Sequence, residues 1–331
     1  MKTLVTGGAG FIGSHVVAQL LTRGDEVVVV DDFSTGTEEN LRAAEGESGR
    51  SVRTHRVDIT SADAADAVLR ERPDVVLLLA AQSSVKVSMR APVRDAQVNV
   101  IGMLQVLDAA VTVGCRKVVF ASSGGTIYGA VEETRLPLRE DLPTAPVSFY
   151  GVSKAVFGQY LEVYRQQRGM EYVALALGNV YGPRQTPHGE AGVVAIFAGR
   201  MLAGRPCVIN GDGLTTRDYV HVDDVARAFV LATRHGRGLI NIGTGQETSV
   251  AEIHQRLQSV LAQTAEPVSG PALPGEVRRV VLDATVANRE LGWRPELDLD
   301  RGLRSVTDWM RALPPGHSAS PWSDPVVAGA R

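Results

Sequence analysis

Short apolar runs rich in β-branched residues recur along the first 180 or so positions, separated by stretches with helical periodicity. Residues 3–6, 26–30, 53–57, 75–79 and 117–121 read as buried strands, and the periodicity predicts helices over 11–22, 62–71 and 92–113. A strand covered on both faces loses the polar–apolar alternation of a half-exposed one. Runs such as Val75-Val-Leu-Leu-Leu79 therefore point to a parallel sheet with helices on both sides. A further helix is predicted over 150–168, stopped by Gly169, followed by a sixth strand over 172–177. The expected class is α/β, with a doubly wound parallel sheet.

After Asn179 the texture changes. Loops rich in Gly and Pro appear, as in Tyr181-Gly-Pro-Arg184 and Asn210-Gly-Asp-Gly213, then a helix over 222–234 and a strand over 239–242. Residues 1–178 are expected to form the first domain, with about 216–245 returning to it. Residues 179–215 and 246–313 are expected to form a smaller, interleaved domain. The tail 314–331, rich in Pro, Gly and Ser, is expected to be disordered.

Composition narrows this picture rather than changing it. The 331 residues are 44% hydrophobic, with a net charge of −3 at pH 7. That leaves ample apolar surface for a core and no basic face for nucleic acid or an anionic membrane. The longest apolar run is too short to span a bilayer. Cys115 and Cys207 are far apart and form no CxxC pattern, and no charged stretch followed by an apolar run begins the sequence. A reducing, cytoplasmic setting is expected.

Candidate chemistry begins at Thr6-Gly-Gly-Ala-Gly-Phe-Ile-Gly-Ser-His15, which follows the first strand and opens a helix. Gly7, Gly10 and Gly13 allow a tight turn and close backbone approach to a pyrophosphate. The helix start, with Phe11 and Ile12, offers free N–H groups and a positive dipole. Asp31, with Asp32 beside it, ends the second strand about 20 residues on. An acidic side chain there suits the adenosine ribose hydroxyls and favours NAD over NADP. The sheet is thus expected to be of Rossmann type. Asp58 and Ile59 follow the third strand, and Ala80 and Ala81 the fourth, where ligands of open α/β sheets bind.

Tyr150 and Lys154, in Ser148-Phe-Tyr-Gly-Val-Ser-Lys154, stand four apart on a predicted helix and share one face. A free Tyr has a pKa of about 10, and lowering it to about 7 takes roughly 4 kcal/mol of preference for phenolate. Lys154 and an oxidised nicotinamide, both cationic, are the expected sources. Ala121-Ser-Ser-Gly-Gly-Thr-Ile-Tyr-Gly129 offers Ser122, Ser123 and Thr126 as hydroxyls to share a substrate proton.

On these motifs, with Ala80-Ala-Gln82, Asn99, Asn179-Val-Tyr-Gly-Pro-Arg184, Arg217-Asp-Tyr-Val-His-Val-Asp-Asp224 and Leu291-Gly-Trp-Arg-Pro295, the chain resembles the extended short-chain dehydrogenases/reductases of the NAD-dependent epimerase/dehydratase family. The resemblance runs from Met1 to about Leu313. Within the family it is most similar to UDP-glucose 4-epimerases. That implies a UDP-sugar oxidised at C4 and reduced again on the other face, with NAD retained. The UDP-glucose/UDP-galactose type is expected, with N-acetylated or uronic forms open. The resemblance places Gln82, Asn99 and Ser122 with Tyr150 and Lys154 around NAD. It places Ser83, Ser123, Tyr150, Asn179, Arg217 and Glu276 around the UDP-sugar, and implies a homodimer.

The chain also departs from the pattern. Gly124 stands where the family usually has a Ser or Thr, so the shared-proton role falls to Ser123, with Thr126 second. Leu273 replaces an Arg usual before Gly275-Glu276, which makes Arg278 or Arg279 a substitute on the diphosphate. Val280 occupies the place of a gate against bulky C2 substituents. Two related activities remain open, NDP-hexose 4,6-dehydratase and UDP-glucuronate decarboxylase. Both usually carry acidic residues in the loop held here by Gly124 and Gly125. A non-catalytic NAD-binding scaffold is the reading from another class. The seven histidines show no metal-ligand spacing, so no metal is expected; His15 is expected to pack in the first helix and the others on surface or loops. Val100, Met103, Val106, Leu107, Phe157, Tyr160, Leu161 and Tyr164 are expected to exceed one core-facing stripe and to serve the dimer.

Overall fold

The computed structural model describes residues 1–186, 192–272 and 277–313. Glu276 and the tail expected to be disordered lie outside the described residues. The first half runs β1 (Lys2–Thr6), α1 (Phe11–Thr22), β2 (Glu26–Asp31), α2 (Glu38–Ser48), β3 (Arg53–Arg56), α3 (Ala62–Glu71), β4 (Val75–Leu78), α4 (Val85–Arg90), α5 (Pro92–Ala96), a π-helical turn (Gln97–Gly102), α6 (Met103–Thr112), β5 (Lys117–Ser123), α7 (Phe149–Arg168) and β6 (Glu171–Leu177). The second half runs β7 (Asn179–Tyr181), α8 (Val193–Leu202), β8 (Val208–Asn210), β9 (Thr216–Arg217), β10 (Tyr219–His221), α9 (Val222–Ala232), β11 (Gly238–Ile242), β12 (Thr248–Ser249), α10 (Val250–Leu261), β13 (Val268–Gly270), α11 (Thr285–Leu291) and α12 (Leu299–Ala312).

Seven of these strands form one parallel sheet in the order β3-β2-β1-β4-β5-β6-β11. Successive residues point to opposite faces, so each strand feeds two cores. Leu4, Val28 and Val30 pack with Val68, Val106 and Phe157 on one side. Val5, Val27 and Val29 pack with Val16, Leu20 and Phe229 on the other. Strand order reverses between β1 and β4, which opens a crevice at the carboxyl ends of the central strands. A third core joins α8, α10 and α12 through Phe197, Leu257 and Leu303. β11 closes the sheet beside β6 from late in the chain.

Three expectations need correction. The helix expected over 92–113 is interrupted by the π-helical turn, where Asn99 is drawn toward the backbone of Gln82. α2 was not expected from the pattern, because only Leu41 and Ala44 on it are buried. Of the residues expected to serve a dimer, Met103, Val106, Leu107, Phe157 and Leu161 are fully buried core. Tyr160 from that group is exposed, and so are Val93, Ile101, Val152 and Val163 on α5, the π-helical turn and α7.

Two histidines also differ from expectation. His221 (1% exposed) and His254 (3% exposed) are buried rather than on surface or loops. Burial lowers the pKa of each, which disfavours the imidazolium. Among the described residues, no helix is long and apolar enough to cross a membrane.

Candidate active site

The glycine turn joins β1 to α1 at the reversal point. Gly7 has φ 72°, a left-handed conformation that favours glycine, and a Cβ there would stand 2.6 Å from the Ala80 nitrogen. A Cβ on Gly13 would collide with the Gly7 carbonyl oxygen. Gly10 caps α1 without a side chain, so no side-chain cap among the described residues occupies the N–H groups of the first helical turn. This is a cradle for a phosphate, with space and donors but no competing acceptor. The residues present fit a dinucleotide.

Asp31 sits beside the turn, 7% exposed. Its carboxylate accepts from Ala9 N and Phe33 N, each at 2.9 Å. Burial raises its pKa and those two N–H groups oppose the rise. Each oxygen keeps a lone pair for a ribose hydroxyl. Asp32 is exposed and accepts from Ser34 N and Oγ, a local turn. Asp58 is half-buried and accepts from Thr60 N and Oγ1, which holds its pKa low. Ile59 is buried core under Gly102.

Ala80, Ala81 and Gln82 leave β4 into the same crevice, and Thr6 Oγ1 accepts from Ala80 N at 3.2 Å. The Gln82 side chain is engaged within the protein. Its Oε1 accepts from Ser84 N, and its Nε2 donates to Ser84 O and to Asp95 Oδ1. Asn99, fully buried, clamps Gln82 from the π-helical turn: Gln82 N donates to its Oδ1, and its Nδ2 donates to Gln82 O.

α7 brings Tyr150 and Lys154 to the end of β5. Ser148 caps it, accepting from Gly151 N at 3.1 Å, and Gly169 at φ 68° ends it. Gly151 lets this first turn close over the Thr126 carbonyl, which a Cβ would meet at 2.8 Å. Lys154 is 2% exposed and donates from Nζ to Ala121 O at 2.9 Å. Its Nζ lies 5.6 Å from the centre of the Tyr150 ring.

The Ser123 side chain favours the Tyr150 phenolate, while the Thr126 hydroxyl is buried without a partner among the described residues. Ser122 is buried. Gly124 has a packing reason: a Cβ would stand 2.7 Å from Leu282 Cδ1, so a side chain there would require Leu282 to shift. Ser123 supplies a hydroxyl from the preceding residue.

Burial pushes Tyr150 up to about 12; the Ser123 side chain opposes the shift and the Asp95 charge adds to it. Burial also pulls Lys154 down to about 7, against the Asp95 charge. The protein's own groups therefore do not bring the phenol toward 7. The cation meant to do so is itself desolvated.

With this geometry in hand, the comparisons become informative. The model of the NAD dependent epimerase/dehydratase family matches residues 3–243. The UDP-glucose 4-epimerase of Mycolicibacterium smegmatis is 45% identical over 313 residues, covering 94% of this chain and 99% of its own. The chain belongs to the NAD dependent epimerase/dehydratase family.

Solved relatives agree. The Thermotoga maritima UDP-glucose 4-epimerase with UDP-glucose superposes with TM-score 0.90 at 43% identity, covering 94% of this chain and 99% of that one. The Thermus thermophilus UDP-glucose 4-epimerase complexed with NAD gives 0.87 at 44%, with the same coverage. This family member is an enzyme with a Rossmann-type sheet, and NAD is its cofactor.

The other candidates are distributed around the crevice mouth. Asn179 opens β7, and a Cβ on Gly125 would lie 3.7 Å from its Oδ1, so it borders the serine loop. Arg217 on β9 is half-buried and donates from Nη1 to Thr216 O. Ser83 is exposed. The substitutes considered for Leu273 are already ion-paired: Arg278 with Asp212 at 2.7 Å, and Arg279 with Glu247 at 2.6 Å and Glu133 at 3.0 Å. Val280 is buried among Ile127, Tyr128 and Leu282.

Two carboxylates central to this geometry were not singled out from the sequence. Asp218, fully buried, accepts from Thr244 N and Oγ1, Gly245 N and Leu282 N, pinning β9–β10 to the Leu282 segment against which Gly124 packs. Asp95, also fully buried, ties Gln82, Asn99 and Ser153 together. The i,i+4 spacing of Asp95 and Asn99 was the one signal available.

Proposed function

We propose that this enzyme is an NAD-dependent UDP-sugar 4-epimerase of the UDP-glucose/UDP-galactose type. The observation that carries the reading is the Tyr150 ring with the Lys154 Nζ 5.6 Å from its centre, at the end of the serine loop, with glycines where related activities need carboxylates. NAD, when bound, would supply hydride chemistry at the sugar C4, and its cationic nicotinamide would favour the phenolate.

The chain's residues handle the proton and the handle of the substrate. Tyr150 takes the proton of the sugar 4-hydroxyl and gives it back, with Ser123 relaying between sugar and phenol. Lys154 supplies positive charge beside the phenolate. Asn179, Arg217 and Glu276 hold the UDP group, so that the 4-keto sugar turns while its diphosphate stays fixed. Gly7, Gly10, Phe11, Ile12 and Gly13 hold the NAD pyrophosphate, and Asp31 with Asp32 the adenosine ribose. Asp58 and Ile59 border the adenine. Ala80, Ala81, Gln82, Asn99 and Ser122 frame the nicotinamide end. Residues 179–215 and 246–313 form the sugar-nucleotide domain over a dinucleotide domain of 1–178 and about 216–245.

A 4,6-dehydratase needs a further acid and base to remove water. Gly124 and Gly125 bring no carboxylate to this loop, and a side chain at Gly124 would require Leu282 to shift, which supports epimerisation over elimination. The exposed apolar face with Val93, Ile101, Val152, Tyr160 and Val163 supports a homodimer. Two buried free thiols fit a cytoplasmic setting.

The test is a product screen by NMR with UDP-glucose, UDP-galactose, their N-acetylated forms and UDP-glucuronate. Interconversion at C4 is expected. A product lacking water or CO2 would replace the epimerase reading, and no turnover of any sugar would remove it. Sedimentation is expected to give a dimer at micromolar concentration, and a monomer would overturn that assignment.

A further inference from the structure

Arg279 lies between two carboxylates from distant parts of the chain. Its Nε donates to Glu247 Oε1 at 3.0 Å, and its Nη2 donates to Glu247 Oε2 at 2.6 Å. Such a two-point fork is a strong arrangement, because both partners are planar, charged and matched in spacing. The Arg279 Nη1 lies 3.0 Å from Glu133 Oε2, on a single 3₁₀ turn (Glu133–Arg135) of the first half. Arg279 and Glu247 are half-buried, and Glu133 is exposed. The fork is therefore the part of this cluster that holds, and an exposed pair such as that with Glu133 adds little.

The fork is joined to the strand that carries Arg217. Glu247 Oε1 also accepts from Thr216 Oγ1 at 2.7 Å. Thr216 N donates to the carbonyl of Arg278, next to Arg279, at 3.0 Å. On its other side β9 pairs with β12, which starts directly after Glu247. Thr216 is thus held by main chain on both sides and by the Glu247 side chain, and Arg217 is the residue that follows it. Beyond Arg279 the chain is fixed as well: Leu138 N donates to Val281 O, and Asp283 N to Leu138 O, each at 2.8 Å.

Each nitrogen of the Arg279 guanidinium already faces a carboxylate. A phosphate could take the fork only by displacing Glu247. We propose that Arg279 and Glu247 are positioning residues for the nucleotide handle: their fork, acting through Thr216, sets the place of Arg217, and neither touches the diphosphate. This rests on the UDP-sugar reading above, where Arg217 has its role.

Glu247→Gln separates the two ways in which Arg279 could serve. The change keeps the shape of the side chain and removes its charge. If Arg279 met the diphosphate directly, its release from Glu247 would leave UDP binding intact or tighten it. As a positioning pair, both residues are needed.

The test is calorimetry of UDP binding to the NAD-bound protein. Glu247→Gln and Arg279→Gln are each expected to weaken UDP about five- to tenfold, and the double variant no more than either alone, as for members of one network. Arg279→Lys keeps the charge without the fork and is expected to fall between wild type and Arg279→Gln. In turnover of UDP-galactose, KM is expected to rise by the same factor with kcat within about twofold, because a handle contact is made equally before and during reaction. Wild-type UDP affinity in Glu247→Gln overturns the proposal, and so do losses that add in the double variant. A wild-type protein that binds no UDP is a different result, which removes the UDP-sugar reading and this proposal with it. If Arg279→Gln does not fold, Arg279→Lys combined with Glu247→Gln applies the same criterion of additivity.

Discussion

The glycine turn and the Tyr150 pocket lie at the same edge of the sheet and are built by opposite means. The turn works by omission. Gly7, Gly10 and Gly13 leave out side chains, so that backbone N–H groups face an open cradle. The pocket works by burial. Lys154, Asp95 and Asn99 are almost wholly enclosed, and each must find partners inside the protein. An added methyl group is therefore the threat to the turn, and a lost charge or hydrogen bond the threat to the pocket.

The largest effect that sharpens this contrast belongs to the turn. Gly13→Ala places a methyl group against the Gly7 carbonyl. NAD binding by calorimetry is expected to be lost, with a stability loss of about 1–3 kcal/mol in melting experiments, as for overpacking elsewhere. Wild-type NAD affinity would show that the turn is not a close-packed cradle.

A smaller effect belongs to the pocket. Ser123→Ala removes the hydroxyl that favours the Tyr150 phenolate, and turnover is expected to fall about tenfold, the worth of one hydrogen bond. Thr126→Val removes a hydroxyl with no partner among the described residues and is expected to leave turnover nearly unchanged. The reverse ranking would move the relay to Thr126.

A further effect is electrostatic. Lys154 titrates at about 7 in the folded protein and near 10.4 when unfolded. Between those values the unfolded chain binds the extra proton, so this group's contribution to stability rises with pH. The melting temperature of wild type relative to Lys154→Met is expected to climb from pH 7 to 10. A flat difference would mean that Lys154 is not desolvated.

The same contrast explains what was legible in the sequence. Strands buried on both faces announce themselves as Val and Leu runs, and the glycine spacing states the turn locally. α2 hid because Leu41 and Ala44 are its only buried side chains. Asp95 and Asp218 hid because a buried Asp reads like an exposed one. The partner that completes Asp95 is Ser153, and Asp218 is completed in part by Leu282, far along the chain. Sequence displays the Lys near Tyr150, but not the desolvation of the phenol. Gly124 showed as a departure, and only the position of Leu282 made it intelligible.

The central claim is that Tyr150 moves the proton at the sugar hydroxyl. Turnover of UDP-galactose by Tyr150→Phe, with bound NAD quantified in the same sample, tests it most directly. At full NAD occupancy the rate is expected to fall by at least about a hundredfold, the scale of a positioned acid–base group. A rate within a few-fold of wild type would contradict the account.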